Sequence, residues 1–145
     1  MASVFSVARY ILEQLGNVSA WKLQKLCYYC QAWSLAWTGE PIFQEEFEAW
    51  RNGPVCRDLF RAHQGRFIVT LSDIPSGNGN DSLTDDQKDT IDSVLQTYGT
   101  YEPYELREQT HSENPWREAR GDLPDDATSN AIITKSSMGE YYGSL

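Results

Sequence analysis

The chain has 145 residues, enough for one domain with its own core, and its 40% hydrophobic and 12% aromatic content excludes a disordered polymer. Twelve basic against 21 acidic side chains leave a net charge of −9, which argues against direct nucleic-acid binding, because cations supply most of the affinity for phosphate backbones. No apolar run reaches the roughly 20 residues of a membrane span, and three cysteines give no disulfide framework.

A reduced, bacterial-type cytoplasm is the expected setting. The start, MASVFSVARYILEQLG, lacks the basic residues and small-residue cleavage site of a secretory signal. The best basic cluster is Arg57, Arg61, His63 and Arg66, and Asp58 interrupts it. Acidity on this scale favours solubility and steers the protein toward a basic partner.

Val4, Val7, Ala8, Ile11, Leu12 and Leu15 recur at three- and four-residue steps, the mark of one helix face. Ser3 caps that helix and Gly16 stops it. A second helix follows in VSAWKLQKLCYYCQAWSLAWTG, between Ser19 and Gly39. Its seam is Ala20, Leu23, Cys27, Cys30, Ser34 and Trp37, widened by Leu26, Tyr29 and Trp33. So broad an apolar surface predicts a central helix with neighbours on several sides.

Phe43, Glu45, Phe47 and Ala49 alternate with Gln44, Glu46, Glu48 and Trp50, a weak strand pattern. Gly53-Pro54 punctuates it, and Pro54 suits the first position of a helix, PVCRDLFRAHQ, with Val55, Leu59 and Phe60 inward. RFIVTL, residues 66–71, reads as a strand or an extended edge. A loop is expected over 72–83 from the composition of SDIPSGNGNDS. Thr84 and Gln87 form a capping box with Asp85 and Asp86 in the first turn. That helix buries Ile91, Val94, Leu95 and Tyr98 and ends at Gly99. Pro103 opens another helix, with Leu106 and Thr110 inward. RGDLPDDATSN is loop, and Ile133, Met138, Tyr141 and Tyr142 suit a short terminal helix docked on the core. No repeat and no second core is visible. The expected fold is mainly α: one compact helical domain over 1–145, its core about 5–142, with a small hairpin or short extended segments around 42–50 and 66–71.

Candidate chemistry is sparse. Cys27-x-x-Cys30 has the spacing of redox pairs and zinc knuckles, but it lies in mid-helix, and Cys56, His63 and His111 show no paired ligand spacing. Small apolar residues in a core is the simpler account of these thiols. GNGND lacks the lysine and helix start of a phosphate loop. No metal or cofactor is expected. Thr110-His111-Ser112-Glu113-Asn114-Pro115-Trp116 offers a general base, His111 with Glu113, and hence a small hydrolase. It also reads as a latch. Thr110 and His111 would end one helix, Asn114 would leave helical geometry ahead of Pro115, and Trp116 would fold onto the core. His111 would then hydrogen-bond backbone left open at the helix end.

Three motifs coincide in order. They are Lys22-Leu23-Gln24-Lys25-Leu26 with Tyr28-Tyr29-Cys30-Gln31-Ala32, then Glu48-Ala49-Trp50-Arg51-Asn52-Gly53-Pro54-Val55, then Thr110 to Trp116 with Ala119-Arg120. Together they resemble the Panacea domain, the antitoxin domain typified by SocA and prophage GepA-like proteins, from about Phe5 to Tyr142. The resemblance marks Lys22, Leu23, Gln24, Lys25, Leu26, Tyr29, Gly53, Pro54, Val55, His111, Pro115 and Trp116 as family positions. It implies an antitoxin that neutralises a cognate protein toxin, encoded next to it, by direct binding. Such domains are paired with unrelated toxins, toxic small alarmone synthetases among them, and are often carried by phages and prophages. Many relatives carry an added N-terminal DNA-binding domain. This chain starts near the first shared helix, so DNA-binding autoregulation is not expected of it. An adaptor that delivers a partner to a protease, and a phage inhibitor of a host defence toxin, are rival readings with the same binding chemistry. Because aromatics and arginine are enriched at binding hot spots, the expected partner surface is Trp37, Glu40, Phe43, Trp50, Asn52 and Arg57.

Overall fold

The computed structural model describes residues 2–76 and 82–145. Helix α1 spans Val4–Leu15, and α2 spans Ala20–Thr38. Strand β1 is the pair Val18–Ser19 between them, and β2, Phe47–Trp50, and β3, Gly53–Cys56, form a hairpin. Helix α3 covers Arg57–His63, β4 is Ile68–Val69, α4 covers Asp85–Tyr98, and α5 covers Pro103–Ser112. Helix α6 covers Asn114–Arg120, β5 is Ile132–Ile133, and α7 covers Lys135–Gly143. The fold is mainly α, as expected.

The caps explain the helix limits. Ser3 and Ser6 exchange a capping box at α1, Ser19 accepts from the Lys22 amide, and Thr84 and Gln87 pair reciprocally at α4. Gly39 ends α2 in the left-handed conformation, φ 77°. Helix α2 runs through the centre of the molecule and packs against α1, α4, α5, α7 and β3. Leu23, Leu26, Cys27, Tyr29 and Cys30 are wholly buried along it. Tyr29 stacks on Tyr98 of α4 at 4.1 Å. Burial pushes all three thiols up, that of Cys56 to about 12, so they serve as core filler. Trp37 departs from the expected seam: it is 55% exposed at the end of α2, against Trp33.

The helix expected from Pro54 begins three residues later. Gly53–Cys56 pairs antiparallel with Phe47–Trp50, Ala49 opposite Pro54, and β5 pairs with the other edge of β2. Proline is tolerated because β3 is an edge strand and the Ala49 carbonyl opposite needs no N–H from Pro54. Ala49 gives its N–H to the Ala131 carbonyl and its own carbonyl accepts from Arg120 Nη1, at 2.8 and 2.9 Å. Phe43 and its neighbours up to Glu46 form no strand. The 66–71 segment contributes only Ile68–Val69, paired with Val18–Ser19. Of the loop expected over 72–83, residues 77–81 lie outside the described residues. Its first part is ordered, for Leu71–Asp73 forms a 3-10 turn held by Arg9, which donates to the carbonyls of Leu71 and Ile74.

Two buried glutamines set the position of the hairpin. Gln24 and Gln31 are seven residues apart on α2 and therefore share a face. Gln24 accepts from the Cys56 amide at 2.8 Å and donates to the Cys56 carbonyl at 3.1 Å, as a neighbouring strand would. Gln31 accepts from the Ile42 amide at 2.8 Å and donates to the Phe43 carbonyl at 2.7 Å. The first and last residues of the 42–56 segment are thus bonded to one helix.

Candidate functional site

The three sequence motifs meet in space around Lys25. Its side chain is 1% exposed, and its ammonium has no hydrogen-bond partner among the described residues. Gly53 leaves room for it: φ is +114°, and a Cβ there would lie 2.5 Å from Lys25 Cε and 3.2 Å from Thr110 Oγ1. One residue from each motif therefore shares one small volume. Trp21 faces the Lys25 ammonium at 4.9 Å. Burial, then the charge of Arg107, lowers the Lys25 pKa to about 7.

The third motif is a latch of a different kind from the one expected. Glu113, not Asn114, leaves helical geometry, with φ −100° and ψ 149°, and Asn114 already belongs to α6. Pro115 sits in the first turn of that helix, where its missing N–H costs nothing. The break falls at Glu113 because its carboxylate turns inward. It accepts from Tyr29 and Tyr142 at 2.7 Å each and from Gln109 at 3.0 Å. Trp116 is buried, donates its indole N–H to the Trp50 carbonyl at 2.8 Å, and carries the His111 ring stacked at 3.8 Å and the Arg120 guanidinium at 4.6 Å. Among the described residues the His111 ring makes no helix-end hydrogen bond, and its Nε2 is buried without a partner. Its carbonyl is satisfied instead by Arg117 Nη1 at 2.8 Å. Burial, reinforced by Arg107, lowers the imidazole pKa to about 4. The His111–Glu113 hydrogen bond that a general-base pair needs does not form.

The expected partner residues separate into three places. Trp50, Asn52 and Arg57 line one open cavity of about 490 Å³ with Trp21, Arg51 and the 128–130 loop. Arg57 donates to Glu48 from Nε and Nη2, at 3.2 and 2.9 Å, and lies 5.3 Å from the Trp50 ring. Burial alone would raise the Glu48 pKa, but hydrogen bonds from Arg57 and Trp50 hold it below the ordinary value. The Arg57–Glu48–Trp50 group is therefore a fixed surface. Trp37 and Glu40 stand elsewhere, at the far end of α2 and just past it. Sixteen residues of helix separate Trp37 from Trp21, about 24 Å. Phe43 is wholly buried, so its ring offers no contact surface; its carbonyl and amide belong to the Gln31 clamp.

A second cavity of about 190 Å³ is lined by Trp21, Lys25, Asn52, Pro103, Tyr104 and Arg107. Trp21 and Asn52 line both, so the two adjoin as one groove. Arg51, Arg57, Lys25 and Arg107 make it locally cationic on an acidic molecule. Sequence reasoning missed Trp21 and Arg107 as groove residues. The signal available was Trp21 one turn before Lys25 on a common face, but only the tertiary fold brings α5 alongside.

The sequence matches the family model described as Antitoxin SocA-like, Panacea domain, over residues 23–117, and the chain belongs to that family. No curated protein and no solved structure shows a significant match.

Proposed function

We propose that this Panacea-domain chain is an antitoxin that silences a cognate protein toxin, encoded beside it, by covering it stoichiometrically and without catalysis. The observation that carries this reading is the family match, which spans the second motif whole and the first and third almost whole. The groove is the surface that supports this reading best. Trp50, Asn52 and Arg57 combine an aromatic ring, an amide and a bidentate guanidinium on a pre-formed surface, the composition that dominates binding energy. The exposed Trp37, with Glu40 beyond it, forms a second contact area for a partner large enough to span α2. The imidazole points into a stack, not toward a carboxylate, and that arrangement suits a structural role.

The test is genetic and then physical. Each reading frame flanking the gene is expressed alone and together with this chain. One of them is expected to arrest growth alone and to be harmless in company, with a purified complex of fixed stoichiometry. Trp50→Ala and Arg57→Ala variants that keep the wild-type circular dichroism are expected to lose capture and rescue. Absence of any toxic neighbour, or full rescue by both folded variants, would sink the antitoxin reading or this contact face, respectively.

A further inference from the structure

The smaller cavity poses a chemical question that the antitoxin reading leaves open. A lysine that is almost fully buried normally has an acidic partner, since an unpaired ammonium in a poorly solvated place is costly. Lys25 has none: its ammonium has no hydrogen-bond partner among the described residues, and the charge that bears on it is that of another cation, Arg107. His111 on α5 and His63 on α3 also feel its charge, and burial holds both toward the neutral form. Arg107 is itself half engaged: it donates to Glu108 at 2.8 Å and to Asn52 Oδ1 at 3.4 Å. The aromatic side chains that line the cavity, Trp21 and the exposed Tyr104, offer no negative charge. Gly53 completes the arrangement, because any side chain there would occupy the space of the lysine tip.

We propose that this cavity is a receptor for one carboxylate, an Asp or Glu side chain of the protein partner, with Lys25 and Arg107 as its cations and Trp21 and Tyr104 as its walls. The source of the carboxylate rests on the antitoxin reading; the receptor itself does not. The flexible four-carbon stem lets the ammonium tilt into the cavity to meet the ligand, while the planar guanidinium supplies paired donors. A carboxylate restores the charged form of Lys25, so binding takes up a proton. Lys25 loses its charge near pH 7 when the cavity holds no anion, so affinity is highest below that pH and weakens above it. The Arg107 guanidinium remains beside the cavity as a second donor, which keeps some affinity at higher pH.

The full chain, labelled with nitrogen-15, is titrated with sodium propionate, which reproduces the end of a glutamate side chain. Sodium chloride at equal ionic strength is the control. A saturable shift of the Trp21 indole and Asn52 amide signals is expected at pH 6.5, several-fold weaker at pH 8.5, and at least ten-fold weaker in Lys25→Met. The Lys25 titration midpoint, followed by its side-chain resonance in wild-type protein, is expected to rise with propionate, and this reading survives even if Lys25→Met does not fold. Unsaturable shifts, equal shifts with chloride, or an unmoved midpoint would overturn the receptor. Once the partner is in hand, one of its acidic residues changed to the amide should weaken capture by wild type and not by Lys25→Met. If none does, the partner as source is wrong. If no flanking frame is toxic, the antitoxin reading fails while the propionate result stands.

Discussion

At the scale of single residues, Lys25 and His111 are both held against charge by burial, and each has a consequence for stability. The ordinary pKa of Lys25 is 10.5 and its folded value is about 7. Between these limits the unfolded chain binds a proton that the folded chain has released, so stability from this group rises with pH across that window. Below pH 7 both states are protonated and the full cost of burying the ammonium remains. Lys25→Met is therefore expected to be more stable than wild type by a few kcal/mol at pH 7. That advantage should shrink steadily toward pH 10. Urea unfolding of both proteins checks this, and subtraction cancels the thiols and tyrosines that also titrate there. A constant difference across the range would contradict the burial of the ammonium. For His111 the ordinary value is 6.5 and the folded value about 4. As pH falls through that interval the unfolded chain takes up the proton first, and stability is lost. His111→Phe should keep the stack on Trp116 and match wild type at pH 7. It should then lose on the order of 2 kcal/mol less than wild type by pH 4. Parallel stability curves would show that the imidazole does not titrate as its position demands.

At the scale of elements, the hairpin is where the local pattern and the tertiary context disagree most. Gln24 and Gln31 serve as substitute strand edges for the segment from Ile42 to Cys56. Gln24→Leu keeps the volume but leaves a buried amide and carbonyl of Cys56 without partners, and each such group costs about 1–3 kcal/mol. A loss of about 2–4 kcal/mol is expected by chemical unfolding. A loss under 1 kcal/mol would mean that the hairpin stands without its helix. Gly53→Ala meets two obstacles, a positive φ and the Lys25 tip. Lys25→Ala should relieve the second alone, so a double-mutant cycle is expected to show a coupling of about 1 kcal/mol or more. Helices with clear caps and period, such as Ser3 with Val4–Leu15 or Thr84 with Asp85–Tyr98, were legible in the sequence because their limits are set locally. Strand β3 was not, because Pro54 after Gly53 is an equally good local signal for a helix start. Only the placement of β3 at a sheet edge, bonded to Gln24, decides against that. Strand β5 was equally hidden: two isoleucines carry no period, and its pairing is with β2, some 85 residues earlier.

At the scale of the whole molecule, the candidate site was half legible. Trp50, Asn52 and Arg57 lie within eight residues of sequence, on the hairpin and the first residue of the helix that follows it, so they meet by local geometry. Lys25, Thr110 and Gly53 were visible as members of three motifs, but nothing in their spacing says that they converge. Burial of Phe43 and the distance of Trp37 are likewise products of how α2 crosses the molecule. The assembled fold carries two electrostatic scales at once: a net charge of −9 overall and a cationic groove within it. The long-range field acts on diffusion, and the groove acts after contact, so the two should separate in kinetics. With a basic partner, raising salt from about 0.05 to 0.5 M shortens the screening length and should slow association by about ten-fold, with little change in dissociation. Replacing the exposed Asp85, Asp86 and Asp89 of α4 by asparagine should mimic high salt. Arg57→Ala should do the reverse, accelerating dissociation while leaving the association rate nearly alone, because it removes a held contact and only one unit of a distributed charge. Surface plasmon resonance on the purified pair measures both rates. An association rate insensitive to salt would mean that the partner is not basic, and the acidic surface would then serve solubility alone.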